Sequence, residues 1–120
     1  MASSHDFGRC GEATAARYLA HRGWTILHRN WRLGHKEIDL VARRGPVVAF
    51  VEVKSRSGPD FGHPLEAITA LKRREIERVA RAWVARFGTP RTVYRFDAIA
   101  IVRHGDCPLS IEHVEDAWRL

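Results

Sequence analysis

The sequence predicts an α/β fold: a mixed central sheet of about five strands flanked by two main helices. Two stretches carry apolar residues at helical spacing. Between and after them, short apolar runs are separated by Gly- and Pro-containing turns. Three of those runs follow one another before the second helix, and a further strand follows it. A helix placed between two strands serves as a crossover and needs one face of a sheet to pack on. With 120 residues, 45% of them hydrophobic, the chain suits one domain covering residues 1–120.

The first helix is expected from Asp6 to His21, with Ser3 and Asp6 at capping-box spacing. Phe7, Cys10, Thr14, Tyr18 and Leu19 mark its stripe. Gly8 and Gly11 are costly in a helix, at ~1 kcal/mol each, which close packing, close approach of a ligand or a late helix start would explain. Gly23 ends the helix, and Trp24 opens a strand to about Arg32. "KEIDLVA" and "VVAFVEVK" read as an antiparallel hairpin around the turn Arg43–Pro46. Ser55–Pro64 is a loop. The second helix is expected from Pro64 to Phe87, lined by Leu65, Ile68, Ile76, Val79, Trp83 and Phe87, and closed by Gly88 and Pro90. Thr92–Val102 is a strong strand. Leu109–Val114 is a weaker one after "HGDCP", with a short tail beyond.

Twenty Lys and Arg against 14 Asp and Glu give a net charge of +6. Such a balance suits a polyanionic partner, nucleic acid first, although solubility alone explains it too. Cys10 and Cys107 form no CxxC pair and read as reduced thiols. There is no apolar leader and no run approaching the ~18 residues of a membrane span. The expectation is a cytoplasmic protein with no membrane association.

The chemistry concentrates on the hairpin. Strand side chains alternate between faces, so Glu52 and Lys54 share one, while Val51 and Val53 share the other with Leu40 and Ile38. If the turn centres between Gly45 and Pro46, Asp39 faces Glu52 and Glu37 faces Lys54. Like charges opposite one another destabilise a sheet. A cation between them would remove the penalty. Mg²⁺ suits such a site, since it uses one or two carboxylates and completes its shell with water and phosphate oxygens. Two acids, a lysine and a divalent metal form a working set for phosphodiester hydrolysis. The bland alternatives are a solvated hairpin and a Glu37–Lys54 ion pair. Against them stands the almost wholly apolar surround of "VVAFVEVK", which should bury its Glu and Lys.

These residues carry a resemblance. "GRCGEATAARYL", "NWR", "EIDLVA", "FVEVKSRS", "LKRREIERVARAWV" and "RFDAIAI" are similar to segments of the YraN-like family of predicted endonucleases. That family lies within the PD-(D/E)XK superfamily, whose restriction-endonuclease-like core runs αβββαβ. The resemblance covers nearly the whole chain. It implies that Asp39 and Glu52 are metal ligands, with the Val53 carbonyl a third. It makes Lys54 the catalytic lysine and Glu12 an extra acid reaching the metal, as in the similar Holliday junction resolvases. Mg²⁺ or Mn²⁺ would be the cofactor, and DNA, branched DNA included, the substrate. A homodimer is implied by the same analogy. One departure is that Lys36 precedes Glu37 where the family often has Gly.

Other residues keep two readings each. Lys72 sits on the stripe of Ile68 and Ile76 and either snorkels to water or reaches the site. Arg74, Arg78 and Arg81 form a basic ridge, for phosphate contact or as a solvated face. Arg43 and Arg56 flank the hairpin and either clamp phosphate or serve solubility. Arg95 and Asp97 share a strand face and suggest an internal ion pair. The seven histidines show no zinc spacing; His35 and His63 either border the site or lie on the surface. The tryptophans are expected to pack. The functional expectation is a divalent-metal-dependent DNA endonuclease. The alternatives are a non-catalytic nucleic-acid-binding module of the same fold and a basic interaction protein.

Overall fold

The computed structural model describes residues 4–57, 68–103 and 110–119, with side chains described for 11–56, 68–102 and 110–119. The order is α1 (Ser4–His21), β1 (Thr25–Leu33), β2 (Lys36–Arg44), β3 (Val47–Ser57), α2 (Ala70–Phe87), β4 (Val93–Arg103) and β5 (Ser110–Arg119). The strands form one sheet in the order β1-β2-β3-β4-β5. Only β3 and β4 run parallel. That pair is joined through α2, as a parallel crossover requires. The expected α/β architecture, with its mixed five-strand sheet and flanking helices, is therefore present.

Each face of the sheet carries one helix. On the α1 face, Ala15, Ala16 and Leu19 pack with Leu40, Ala42, Val51, Val53, Ile99 and Ile101. On the α2 face, Ile76, Val79, Ala80 and Trp83 pack with Val41, Val48, Phe50, Phe96 and Ala98. Strands β3 and β4 are buried on both sides. This explains why their sequences run almost wholly apolar.

Several expectations are corrected. Helix α1 turns its small residues to the sheet, and Thr14 and Tyr18 are only half-buried. A Cβ on Gly11 would collide with the Ser55 side chain, so close packing explains that glycine. Helix α2 does not run unbroken from Pro64. Thr69 is its N-cap, extended at φ −69° and ψ 166°, and its hydroxyl accepts from the Lys72 N–H. Phe87 is 39% exposed rather than core. Ile38 lies in the α2-face cluster, apart from Leu40. Near it the strand alternation breaks, as Asn30 adopts φ +49° in β1.

Strand β5 extends five residues beyond Val114 instead of ending in a tail. Its charges are the reason. Asp97, fully buried, accepts from Arg95 Nε and Nη2, from His113 and from the Asp116 N–H. The ladder bulges there, with three residues of β5 between the partners of Phe96 and Ala98, and Asp116 takes φ +51°. Trp118 then stacks on Phe96 at 4.8 Å. The proposed Arg95–Asp97 pair is real, at 3.0 Å. Ser3, Cys107, Leu65, the side chains of His5, Phe7 and Cys10, the surroundings of Gly8, and the stretches holding His63 and His104 lie outside the described residues.

Asp97→Ala removes the acceptor for four donors and leaves Arg95 facing the gap with only the exposed Glu115 as a partner. We expect a stability loss of about 3–5 kcal/mol in denaturant titration. A loss below about 1 kcal/mol would show that β5 is held by its aromatic packing alone.

Candidate functional site

The β2–β3 register is the expected one. The ladder runs from Arg44↔Val47 to Leu40↔Val51, so Asp39 would stand opposite Glu52 in the next rung. That rung is different in kind. The Val53 N–H donates to Asp39 Oδ2 at 2.7 Å, a side-chain acceptor in place of a backbone carbonyl. Asp39 is thereby fixed at the edge of Glu52, where the two strands stop pairing.

Glu52 follows from the pleat. It lies between Val51 and Val53, which face α1, so it points to the α2 side with Phe50. It is 3% exposed, and its Oε1 has no hydrogen-bond partner among the described residues. Burial first, then the Asp39 charge, pushes Glu52 up from the ordinary carboxylate range to about 8, with Lys72 and then Lys54 pulling the other way. Burial likewise raises Asp39 to about 6. The Val53 N–H opposes that rise, and Glu12 adds to it. At neutral pH the two carboxyls do not both ionise at ease.

Lys54, next along the same strand face, is half-buried and makes no ion pair among the described residues. The suggested Glu37–Lys54 pair does not form; Glu37 meets Arg32 at 3.1 Å. Lys72 is brought to the site. It stands in the first turn of α2, placed by the Thr69 cap, and stabilises the Glu52 charge ahead of Lys54. Glu12 acts on Asp39 from α1. Its Oε2 accepts from Asn30 Nδ2 at 3.1 Å.

Asn30 is the site residue that the residue-by-residue reading missed. It stands in β1 between the rungs Arg29↔Leu40 and Trp31↔Ile38, across from Asp39. Its left-handed φ is one that Asn tolerates better than most residues. The available signal was "NWR" inside a strand otherwise expected to run on to Arg32.

Among the described residues, no three His, Cys, Asp or Glu side chains cluster tightly enough to hold a metal by themselves. The donor set is therefore two carboxylates plus whatever the backbone and a substrate add, a composition that Mg²⁺ accepts and a structural zinc site does not. The orphaned, buried Glu52 oxygen fits a cation. Val53 enters through its N–H.

The basic residues divide. Arg74, Arg78 and Arg81 are exposed on α2, and the first two line a cavity of about 260 Å³ with Lys36, Leu71 and Glu75. Lys36 bridges to Glu75 at 3.1 Å. Arg56 is half-buried just beyond Lys54 on β3, with one N–H on the Ser55 carbonyl. Arg43 is not at the site. It lies by the hairpin turn, donating to the Gly45 carbonyl, four strand positions (roughly 13 Å) from Asp39. His35 is exposed. No helix among the described residues is long and apolar enough to cross a membrane.

Residues 11–101 match the profile of "Uncharacterised protein family UPF0102". A UPF0102 protein of Rhodococcus jostii (strain RHA1) is 44% identical over 119 residues, spanning 98% of this chain and 100% of its own. One of Chlorobium phaeobacteroides (strain BS1) is 41% identical, covering 95% of this chain and 94% of its own. One of Chlorobium chlorochromatii (strain CaD3) is 43% identical over 121 residues, covering 97% and 93%. The chain belongs to the UPF0102 family.

The raised carboxyls set a pH dependence. A carboxyl held above its unfolded value favours the folded state while protonated, and that contribution is lost as pH rises through the folded value. The metal-free protein should therefore lose stability from about pH 4 to about pH 8, in a steep lower step to about pH 6 where both Asp39 and Glu52 contribute and a shallower upper step to about pH 8 carried by Glu52 alone. Glu52→Gln should flatten the upper step, as read by melting temperature across pH. An unchanged upper step would place that titration elsewhere.

Proposed function

We propose that this UPF0102 chain is a divalent-metal-dependent DNA endonuclease with a PD-(D/E)XK-type site. The observation that carries the reading is a buried carboxylate, Glu52, with an unsatisfied oxygen, sharing its strand face with Lys54 and its edge with Asp39. The Asp39 backbone N–H acts on this carboxyl and leaves Oε1 bare. A purely structural acid in that position would have a donor on each oxygen, and an acid awaiting a cation would not.

Asp39 and Glu52 would hold Mg²⁺ or Mn²⁺, with Glu12 and the Val53 carbonyl as further candidates. The ion, when bound, supplies an activated water and neutralises charge on the phosphoryl group. The chain's own residues do the rest. Asp39 is held by the Val53 N–H, so its free oxygen keeps one orientation. Lys54 stands beside Glu52, forms no ion pair among the described residues, and can stabilise charge that develops on a phosphoryl oxygen or orient the attacking water. Lys72 adds a second positive charge from the N-terminal turn of α2, an end already favourable to anions. The exposed Arg74, Arg78 and Arg81 supply salt-sensitive contacts to the DNA backbone, and Arg56 one more beside the site. Such contacts fix register without reading sequence. Cleavage of branched DNA, and a dimeric form, extend the same reading.

Purified protein, incubated with branched, duplex and single-stranded DNA in Mg²⁺ or Mn²⁺, should cut at least one of them, and chelator should stop it. Asp39→Ala and Lys54→Ala should each lower the rate by 10²-fold or more, the scale of losing a major electrostatic contributor. DNA binding with no cutting in any of these conditions would instead favour a binding module on the same basic ridge.

A further inference from the structure

On the other flank of α1, away from Asn30 and Glu12, a groove opens between this helix and β5. Two cavities of about 410 and 470 Å³ adjoin there and share Tyr18, His21 and Arg22. Arg17 lines the first, and Arg44 with Glu115 the second. Three guanidiniums and an imidazole thus meet one carboxylate. That carboxylate is already engaged, by Arg95 at 3.4 Å and Arg44 at 4.0 Å.

The cations are not loose. Arg22 lies over the Tyr18 ring at 4.4 Å. Arg44 lies over the Trp24 ring at 4.5 Å and donates to the Arg22 carbonyl at 3.3 Å. A guanidinium parked flat on an aromatic ring keeps N–H edges for a ligand and loses less side-chain entropy on binding.

Tyr18 is held more firmly still. Its hydroxyl meets His113 Nδ1 at 3.1 Å, and His113 Nε2 meets Asp97 at 2.7 Å. Asp97 is in turn fixed by Arg95 and the Asp116 N–H. This chain of hydrogen bonds runs from the sheet core to the groove wall and plays no part in the Asp39–Glu52 face.

We infer that this groove is a binding site for a phosphate ester, held by Arg17, Arg22 and Arg44 against the wall that the Tyr18–His113–Asp97 chain fixes. The inference is independent of the nuclease reading.

The full chain, titrated with sodium sulfate, a nucleoside monophosphate and a short single-stranded oligonucleotide, gives the test, followed by amide NMR shifts at Tyr18, Arg22 and Ile111. The two esters separate a free nucleotide from a nucleic-acid strand as the source of the phosphate. At least one ester should shift these signals, and Arg17→Gln with Arg22→Gln should weaken its binding about three- to tenfold or more, the worth of at least one hydrogen bond, circular dichroism confirming the fold. No shift with either ester, a response to sulfate alone as an adventitious ion only, or binding that ignores both substitutions overturns the site.

Discussion

A buried carboxyl oxygen left without a donor is expensive, and the arrangement around Glu52 follows from having to keep one. Desolvating a polar group without a compensating hydrogen bond costs several kcal/mol, and more for a charge. Glu52 nevertheless sits on β3, buried on both faces, with Asp39 at its side. The surroundings reduce the cost without removing it. Two lysines lean on it from one strand and one helix start, and Asp39 is drawn partly away by the Val53 N–H. None of them gives Glu52 Oε1 a hydrogen bond.

The fold positions this conflict. Strand β3 pairs antiparallel with β2 and parallel with β4, so its C-terminal half leaves the hairpin while still gripped from the other side. Where β2 lets go, Asp39 becomes free to offer a side chain. Asn30, bent out of regular strand geometry opposite, turns its amide to Glu12 instead of the ladder. Helix α1 can bring Glu12 there because Gly11 and the alanines let it lie close to the sheet. Helix α2 can bring Lys72 because Thr69 starts it where it does. The acids thus come from one layer and the sheet, and the second lysine from the other layer. Membership of the UPF0102 family fits a chain whose matched region, residues 11–101, contains all of these groups.

Much of this was legible in the sequence, for identifiable reasons. The Gly45–Pro46 turn fixed the hairpin register, and period-2 alternation then put Glu52 and Lys54 on one face. Helical stripes located both helices. The failures fall where local pattern and tertiary contact disagree. The start of α2 is decided by one threonine hydroxyl, which a continuing apolar stripe conceals. The end of strand β5, beyond Val114, reads as polar tail because its partners, Asp97 and Phe96, are distant in sequence. Asn30 hides because a single positive φ leaves no periodic trace. Trp83 and His28 illustrate the same limit: their hydrogen bond, at 2.9 Å across 55 residues, gives a histidine that looks like surface a place in the aromatic cluster. The charges of Arg43 and Arg56 looked equivalent, yet strand direction sends one to the turn and the other beside Lys54.

Glu52, held up near 8 beside Asp39, keeps a proton at neutral pH, and the proposed divalent cation would have to displace it. Calorimetric titration of the protein with Mg²⁺ or Mn²⁺ near pH 7, repeated in buffers of different ionisation enthalpy, counts the protons released on binding. About one proton per bound ion is the result predicted from a Glu52 held up near 8, and Glu52→Gln should abolish the release. Absence of ion binding at millimolar concentrations, or binding with no proton released, would contradict the account.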